Sequence, residues 1–178
     1  LNAGIELWRT PQAAPAGCEP LFAILVNNGL ITQELAWQRY LGALLNRDHE
    51  LARELAEGFG DPRYQAAANN YAALMRDPRL VANFATFADQ TANSLPVIAQ
   101  AIGELARTDA VAAMGHWSHY RQANQFPVAS QQQVIASLVR GLYTQGKPRI
   151  ALEYLDGNID MAPADLLEWR LRLALKDG

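Results

Sequence analysis

Residues 32–60 read TQELAWQRYLGALLNRDHELARELAEGFG. Thr32 stands where a helix N-cap belongs, its hydroxyl free to accept from a backbone N–H that the first turn leaves unpaired. Behind it Trp37, Tyr40, Leu41, Leu44 and Leu45 recur at the i, i+3, i+4, i+7, i+8 spacing of one helical face. Asp48 caps a second helix whose stripe is Leu51, Ala52, Leu55 and Ala56, and Gly58 and Gly60 end it. Each helix has a single apolar side, so neither is stable alone and each must stack on its neighbours.

Working outward, the same unit repeats about every 15 residues, with no stretch that reads as a strand. Upstream, 10–17 is a Pro- and Gly-containing loop. The next helix opens at Cys18-Glu19-Pro20, carries the run Leu21 to Val26 as a buried face, and stops at Asn27-Asn28-Gly29. Downstream, Asp61-Pro62-Arg63 and Asp77-Pro78-Arg79 each pair an Asp cap with Pro in the first position. The first predicts a helix burying Tyr64, Ala67, Ala68, Tyr71, Leu74 and Met75. The second predicts one burying Leu80, Val81, Phe84, Phe87 and Ala88. Ser94 and Asp109 cap two more, with Val97, Ile98, Ala101, Ile102 and Leu105 inside one and Ala110, Ala113, Met114, Trp117 and Tyr120 inside the other. Ser130 and Gln133 form a capping box. Gln145 to Pro148 is a turn, and Pro163 starts the last helix.

The fold class is therefore all-α: an α-superhelix, or solenoid, of antiparallel helix pairs, expected to run as one segment over residues 1–178. A pair takes about 30 to 35 residues, close to tetratricopeptide length, although the tetratricopeptide consensus is absent. Both ends read as cut through helices, LNAGIELW at 1–8 being a helix end, so the chain is expected to be a piece of a longer protein. On that expectation the lack of an export signal says nothing about compartment.

Net charge is -3 with mixed signs, which excludes the basic field that nucleic acid requires. No apolar run nears the roughly 20 residues of a membrane-spanning helix. Cys18 is the single cysteine. It reads either as a small buried apolar residue or as half of a disulfide whose partner lies outside the sequence.

A search for chemistry finds little. His116 and His119 lie one helical turn apart, a spacing that can bring two imidazoles to one metal. No third ligand or HExxH pattern supports that, and the bland reading is two polar residues flanking Trp117. There is no nucleophile elbow, phosphate loop or dinucleotide fingerprint, and no apolar-flanked carboxylate pair. Catalytic residues, cofactor ligands and metal ligands are therefore all expected to be none. Trp8, Trp37, Trp117 and Trp169 fall one to a helix, as packing residues do, although an exposed Trp can also stack on a sugar.

Leu7-Trp8, Gly17-Cys18-Glu19-Pro20-Leu21-Phe22, Gly29-Leu30-Ile31-Thr32 and Trp37-Gln38-Arg39-Tyr40 together resemble the middle of the helical U-domain of soluble lytic transglycosylases. Leu166 to Leu175 resembles a later helix of that family. The resemblance implies a periplasmic murein-degrading parent enzyme whose long α-superhelical domain closes into a ring beneath a lysozyme-like catalytic domain. That domain carries its acid in a Glu-Ser motif and cleaves between N-acetylmuramic acid and N-acetylglucosamine to leave a 1,6-anhydro product. No Glu in this chain is followed by Ser, so no catalytic residue carries over. The resemblance also implies that Cys18 pairs with a cysteine upstream of residue 1, as an oxidising periplasm would allow. The implied partners are the parent's catalytic domain and peptidoglycan strands. Two rival readings stand beside it: a tetratricopeptide-like adaptor binding a partner peptide, and an all-α metalloenzyme built on His116 and His119.

Overall fold

The structure is a computed structural model that describes residues 2–10, 17–88 and 93–177. Among these every regular element is helical: ten α-helices and three short 3-10 turns. The expected all-α class holds. Packing divides the chain into two compact units, Leu1–Arg76 and Asp77–Gly178.

The first unit holds α1 (Asn2–Arg9), α2 (Glu19–Asn27), α3 (Gln33–Leu45), α4 (His49–Glu57) and α5 (Pro62–Arg76). Its caps form as the sequence requires. Thr32 Oγ1 accepts the Leu35 N–H at 3.2 Å, and Asp48 Oδ1 accepts that of Leu51 at 3.1 Å. The α3 stripe closes onto α4 and α5 around Trp37, whose ring meets those of Tyr40, Phe59, Tyr64 and Tyr71 at centroid distances of 5.2–5.9 Å. Tyr40 reaches across to donate its hydroxyl to the Ala68 carbonyl at 2.6 Å. Phe59, set between two loop glycines, is buried in this aromatic cluster.

The run Leu21 to Val26 departs from its expected buried face. Leu25 is buried, but Leu21, Ile24 and Val26 are 36%, 52% and 50% exposed. Within this unit α2 packs chiefly on α1, a single short helix that can cover only one side of it.

Arg39, on the α3 face beside the stripe, is buried with its guanidinium 4.5 Å from the Trp8 ring and 4.8 Å from that of Phe22. Its Nε and Nη1 have no acceptor among the described residues, and burial holds its pKa below the usual arginine range. A desolvated cation–π contact is worth about 2 kcal/mol, whereas each orphaned buried N–H costs about 1–3 kcal/mol. The cost wins. Arg39→Met, which keeps the packing stem, is therefore expected to stabilise the chain by about 1 kcal/mol in chemical denaturation. A loss of that size instead would show that the charge has a partner.

In the second unit the segment after Asp77 is not the α-helix its Asp-Pro start predicts. Two 3-10 turns, Pro78–Ala82 and Phe84–Phe87, take its place. Asp77 still accepts the Arg79 N–H at 3.1 Å. The Val81 carbonyl, however, is taken by the Tyr120 hydroxyl at 3.0 Å, so an outside donor fills the place of an i+4 helical N–H. The chain breaks at Asn83, which lets Val81 and Phe87 both turn inward while Ala88 is left exposed.

There follow α6 (Leu95–Leu105), α7 (Ala110–Ala123), α8 (Val128–Thr144), α9 (Pro148–Asp156), a 3-10 turn at Ile159–Met161 and α10 (Asp165–Asp177). Asp109 caps α7 as expected, accepting the Ala112 N–H at 3.0 Å. Ser94 occupies the N-cap position of α6 without a side-chain capping bond. The Ser130 capping box does not form. α8 begins at Val128, and Ser130 is buried inside it. Gln131 Nε2 instead bonds the Phe126 carbonyl at 2.9 Å, which ties the helix start to the buried Phe126 and moves it upstream of the serine.

α6 and α8 pack most closely. A Cβ built on Gly141 of α8 would overlap the Ala106 carbonyl oxygen and lie 3.1 Å from Ala110 Cβ. Gln145, one turn on, clamps the same corner: its Nε2 donates to Ala106 O and its Oε1 accepts the Ala110 N–H, both at 3.0 Å. One side chain thus satisfies the end of α6 and the start of α7. Since backbone rather than a flexible side chain blocks the space, Gly141→Ala is expected to cost about 3 kcal/mol. Thermal unfolding within a degree of wild type would contradict this.

Candidate functional site

The second unit carries a cleft of about 740 Å³ lined by α7 and by Tyr154 of α9. Helical spacing accounts for it. Ala110, Ala113, Trp117 and Tyr120 point into the core, so Val111, Met114, Gly115, Ser118, Arg121 and Gln122 form the next face round. Gly115 sits inside the helix, where glycine costs roughly 0.5–1 kcal/mol relative to alanine. A Cβ there would meet nothing within 4 Å, so packing does not demand the glycine and its absent side chain leaves the cleft open.

Two polar atoms behind the cleft, Trp117 Nε1 and the Tyr154 hydroxyl, are shut off from water, and the hydroxyl takes the pull of Trp117 and Arg121 as donors. Arg121 stands beside them. Its Nη1 donates to Asn158 Oδ1 at 3.0 Å, and its guanidinium carbon lies 5.8 Å from the centre of the Trp117 ring. Asn158 is in turn held by its Nδ2, which donates to the Tyr154 carbonyl at 2.8 Å. Among the described residues no carboxylate lines the cleft, and its charged edge is that of Arg121.

A smaller hollow of about 370 Å³ lies in the first unit between α3, α4 and α5, edged by His49, Arg53, Asn69 and Arg76. Arg53 is already paired with Glu57 at 2.7 Å.

The residues singled out from sequence lie elsewhere. The rings of His116 and His119 both pack on Phe84, at 5.6 and 3.8 Å. Among the described residues no group of three His, Cys, Asp or Glu could hold a metal ion. Cys18 is half-buried at the N-cap of α2 with a free thiol. Trp8, Trp37 and Trp117 are buried, and Trp169 is half-buried edge-on to Tyr143 at 5.3 Å. Among the described residues no helix is long and apolar enough to cross a membrane. Sequence reading missed Arg121 and Tyr154, which carry no local pattern. Gly115 did leave one, as an isolated glycine within a helical period.

Neither a protein-family model nor a curated protein matches the chain. Its fold is similar to that of the lytic transglycosylase Slt from Pseudomonas aeruginosa, solved as an inactive mutant, with a TM-score of 0.72 and 23% identity. The match covers 98% of this chain and 28% of that one, so the chain spans less than a third of that enzyme's length. At this identity the likeness is one of fold.

Burial pushes the Tyr154 hydroxyl up to about 12, against an opposing pull from Arg121 and Trp117. An unfolded tyrosine ionises near pH 10. Between about pH 10 and 12 unfolding therefore releases a proton that the folded chain keeps, and stability falls as pH rises through that window. Tyr154→Phe is expected to flatten this alkaline fall in urea titrations. A slope unchanged by the substitution would count against the buried phenol.

Proposed function

We propose that the chain is a non-catalytic, superhelical part of a peptidoglycan lytic transglycosylase, running as one segment over residues 1–178. Its work is architectural. It frames the parent's catalytic domain and offers helical surface to peptidoglycan strands in the periplasm. The observation that carries this is the fold likeness to a lytic transglycosylase over 98% of the chain. The resemblance of Gly17-Cys18-Glu19-Pro20-Leu21-Phe22 and its neighbours to the U-domain supports it independently. On this reading the half-buried Cys18 pairs with an upstream cysteine of the parent protein.

What the helices hold supports the frame role. The acids among the described ion pairs are largely committed to near neighbours, as in Glu57 with Arg53, Asp61 with Arg63 and Glu153 with Arg149. A glycosidic bond needs an acid that keeps its proton near neutral pH. Asp61 and Asp77 are instead held below the usual carboxylate range by Arg63 and Arg79.

The test uses the purified 178-residue chain and murein sacculi. No 1,6-anhydro-muropeptides are expected from the chain alone. Release is expected once it is joined, in its parent reading frame, to a lysozyme-like domain bearing Glu-Ser, and in that parent Cys18 should resist alkylation until reduced. Turnover by the chain alone, or a parent frame without such a domain, would refute the reading.

A further inference from the structure

The buried donors around Arg39 differ from those behind the α7–α9 cleft, because they cannot answer one another. Arg39 Nε, Arg39 Nη1 and Trp8 Nε1 are all shut off from water and have no acceptor among the described residues. A guanidinium and an indole N–H can only donate. The guanidinium carbon lies 4.5 Å from the centre of the Trp8 ring, so the three donors share one corner. Arg39 is 4% exposed, and burial lowers its pKa with no opposing pull from an acid. Folded chains keep few buried polar groups in this state, and fewer buried charges.

A second observation falls on the same corner. α2 holds one charged residue, Glu19, in its nine, and a helix apolar nearly all round belongs in an interior. Yet Ile24 and Val26 are each about half exposed. At about 100° per residue these two lie on opposite flanks of the helix. α1 covers the stripe between them, where Gly4 lies against Leu21 and Leu25. Val26 follows Phe22 by one turn and so shares its flank, and the Phe22 ring lies 4.8 Å from the Arg39 guanidinium. The open flank of α2 and the orphaned donors are neighbours.

We propose that this flank is the docking surface for a further helix of the parent protein, one that sets a carboxylate among aliphatic side chains. The aliphatic groups cover Val26, and the carboxylate takes the donors of Arg39 and Trp8. The inference rests on the reading of the chain as part of a longer protein, but not on that protein's action on murein. Sign and bond type together fix the carboxylate. Arg39 has no counter-charge, the corner has donors and no acceptor, and a carboxylate supplies both, with oxygens enough for a guanidinium and an indole at once. A lone backbone carbonyl would leave the charge unmatched. The aliphatic surround follows from the flank itself, since Pro20 to Asn27 hold no charge.

The experiment measures hydrogen exchange of the α3 amides, in the 178-residue chain and in the protein expressed from the full parent reading frame. In the isolated chain Arg39→Met is expected to raise α3 protection about fivefold, the counterpart of the stability gain given above. In the parent the sign is expected to reverse, protection falling about tenfold or more, because the substitution strands the partner's carboxylate. Val26→Glu changes an exposed residue and is expected to be silent in the isolated chain, yet to lower α3 protection in the parent by about tenfold or more. Arg39→Met raising protection in both settings, or Val26→Glu silent in both, would overturn the proposal. So would α3 protection in the wild-type chain that climbs with its own concentration and is lost in Val26→Glu, which would give the flank to a second copy. Release of anhydro-muropeptides by the same parent is scored separately, so the murein reading and the docking surface can fail independently.

Discussion

The second unit is organised by a backbone contact. The Ala106 carbonyl, at the end of α6, reaches α8 at a point where only glycine fits. Helices that carry one apolar stripe gain stability only by covering one another, and the gain grows as their axes approach. Gly141 removes the side chain that would hold α8 away. Gln145 then accepts and donates at the corner so that close approach does not leave the Ala106 carbonyl and Ala110 N–H unpaired. The same device sets the direction of α7, since its first N–H is fixed to a side chain of α8. The orientation of α7 decides which of its faces is buried, and so which residues are left to line the cleft.

The parts of the fold legible in sequence are those decided within one helical turn. Thr32, Asp48 and Asp109 cap because a short oxygen-bearing side chain finds an unpaired N–H three residues on, whatever the rest of the chain does. Ser130 and Asp77 carry equally good local signals and give other results. Phe126 and Gln131 draw the start of α8 upstream of Ser130. Tyr120, far along the chain, takes the carbonyl that an α-helix after Asp77 would use. Phe59 illustrates the opposite case: it has no periodic partners in sequence and joins the core because Trp37 and Tyr40 leave a space for its ring.

The candidate site was less legible for the same reason. Trp117 was readable as a core residue, because its spacing from Ala113 and Tyr120 puts it on the buried stripe. That its indole N–H would meet the Tyr154 hydroxyl and Arg121 depends on α9 and on the next turn of α7, which no local pattern announces. The His116 and His119 pair was the more visible motif, yet Phe84 takes up both rings. Spacing along one helix can align two ligands, but it says nothing of the third, which must come from another element.

Buried side-chain donors occur in both units, and they find different surroundings. Around Arg39 they belong to a guanidinium packed against Trp8 and Phe22. The two rings, 5.0 Å apart, lie against the guanidinium from one side, and their contacts offset part of the cost of the missing acceptors. Such an arrangement can persist as a tolerated expense of packing an arginine against a helix pair. Around Trp117 the indole N–H and the Tyr154 hydroxyl lie together with Arg121, which bonds Asn158, so the buried polar atoms answer one another. What this corner gives up is helix stability at Gly115, a glycine that no neighbour requires.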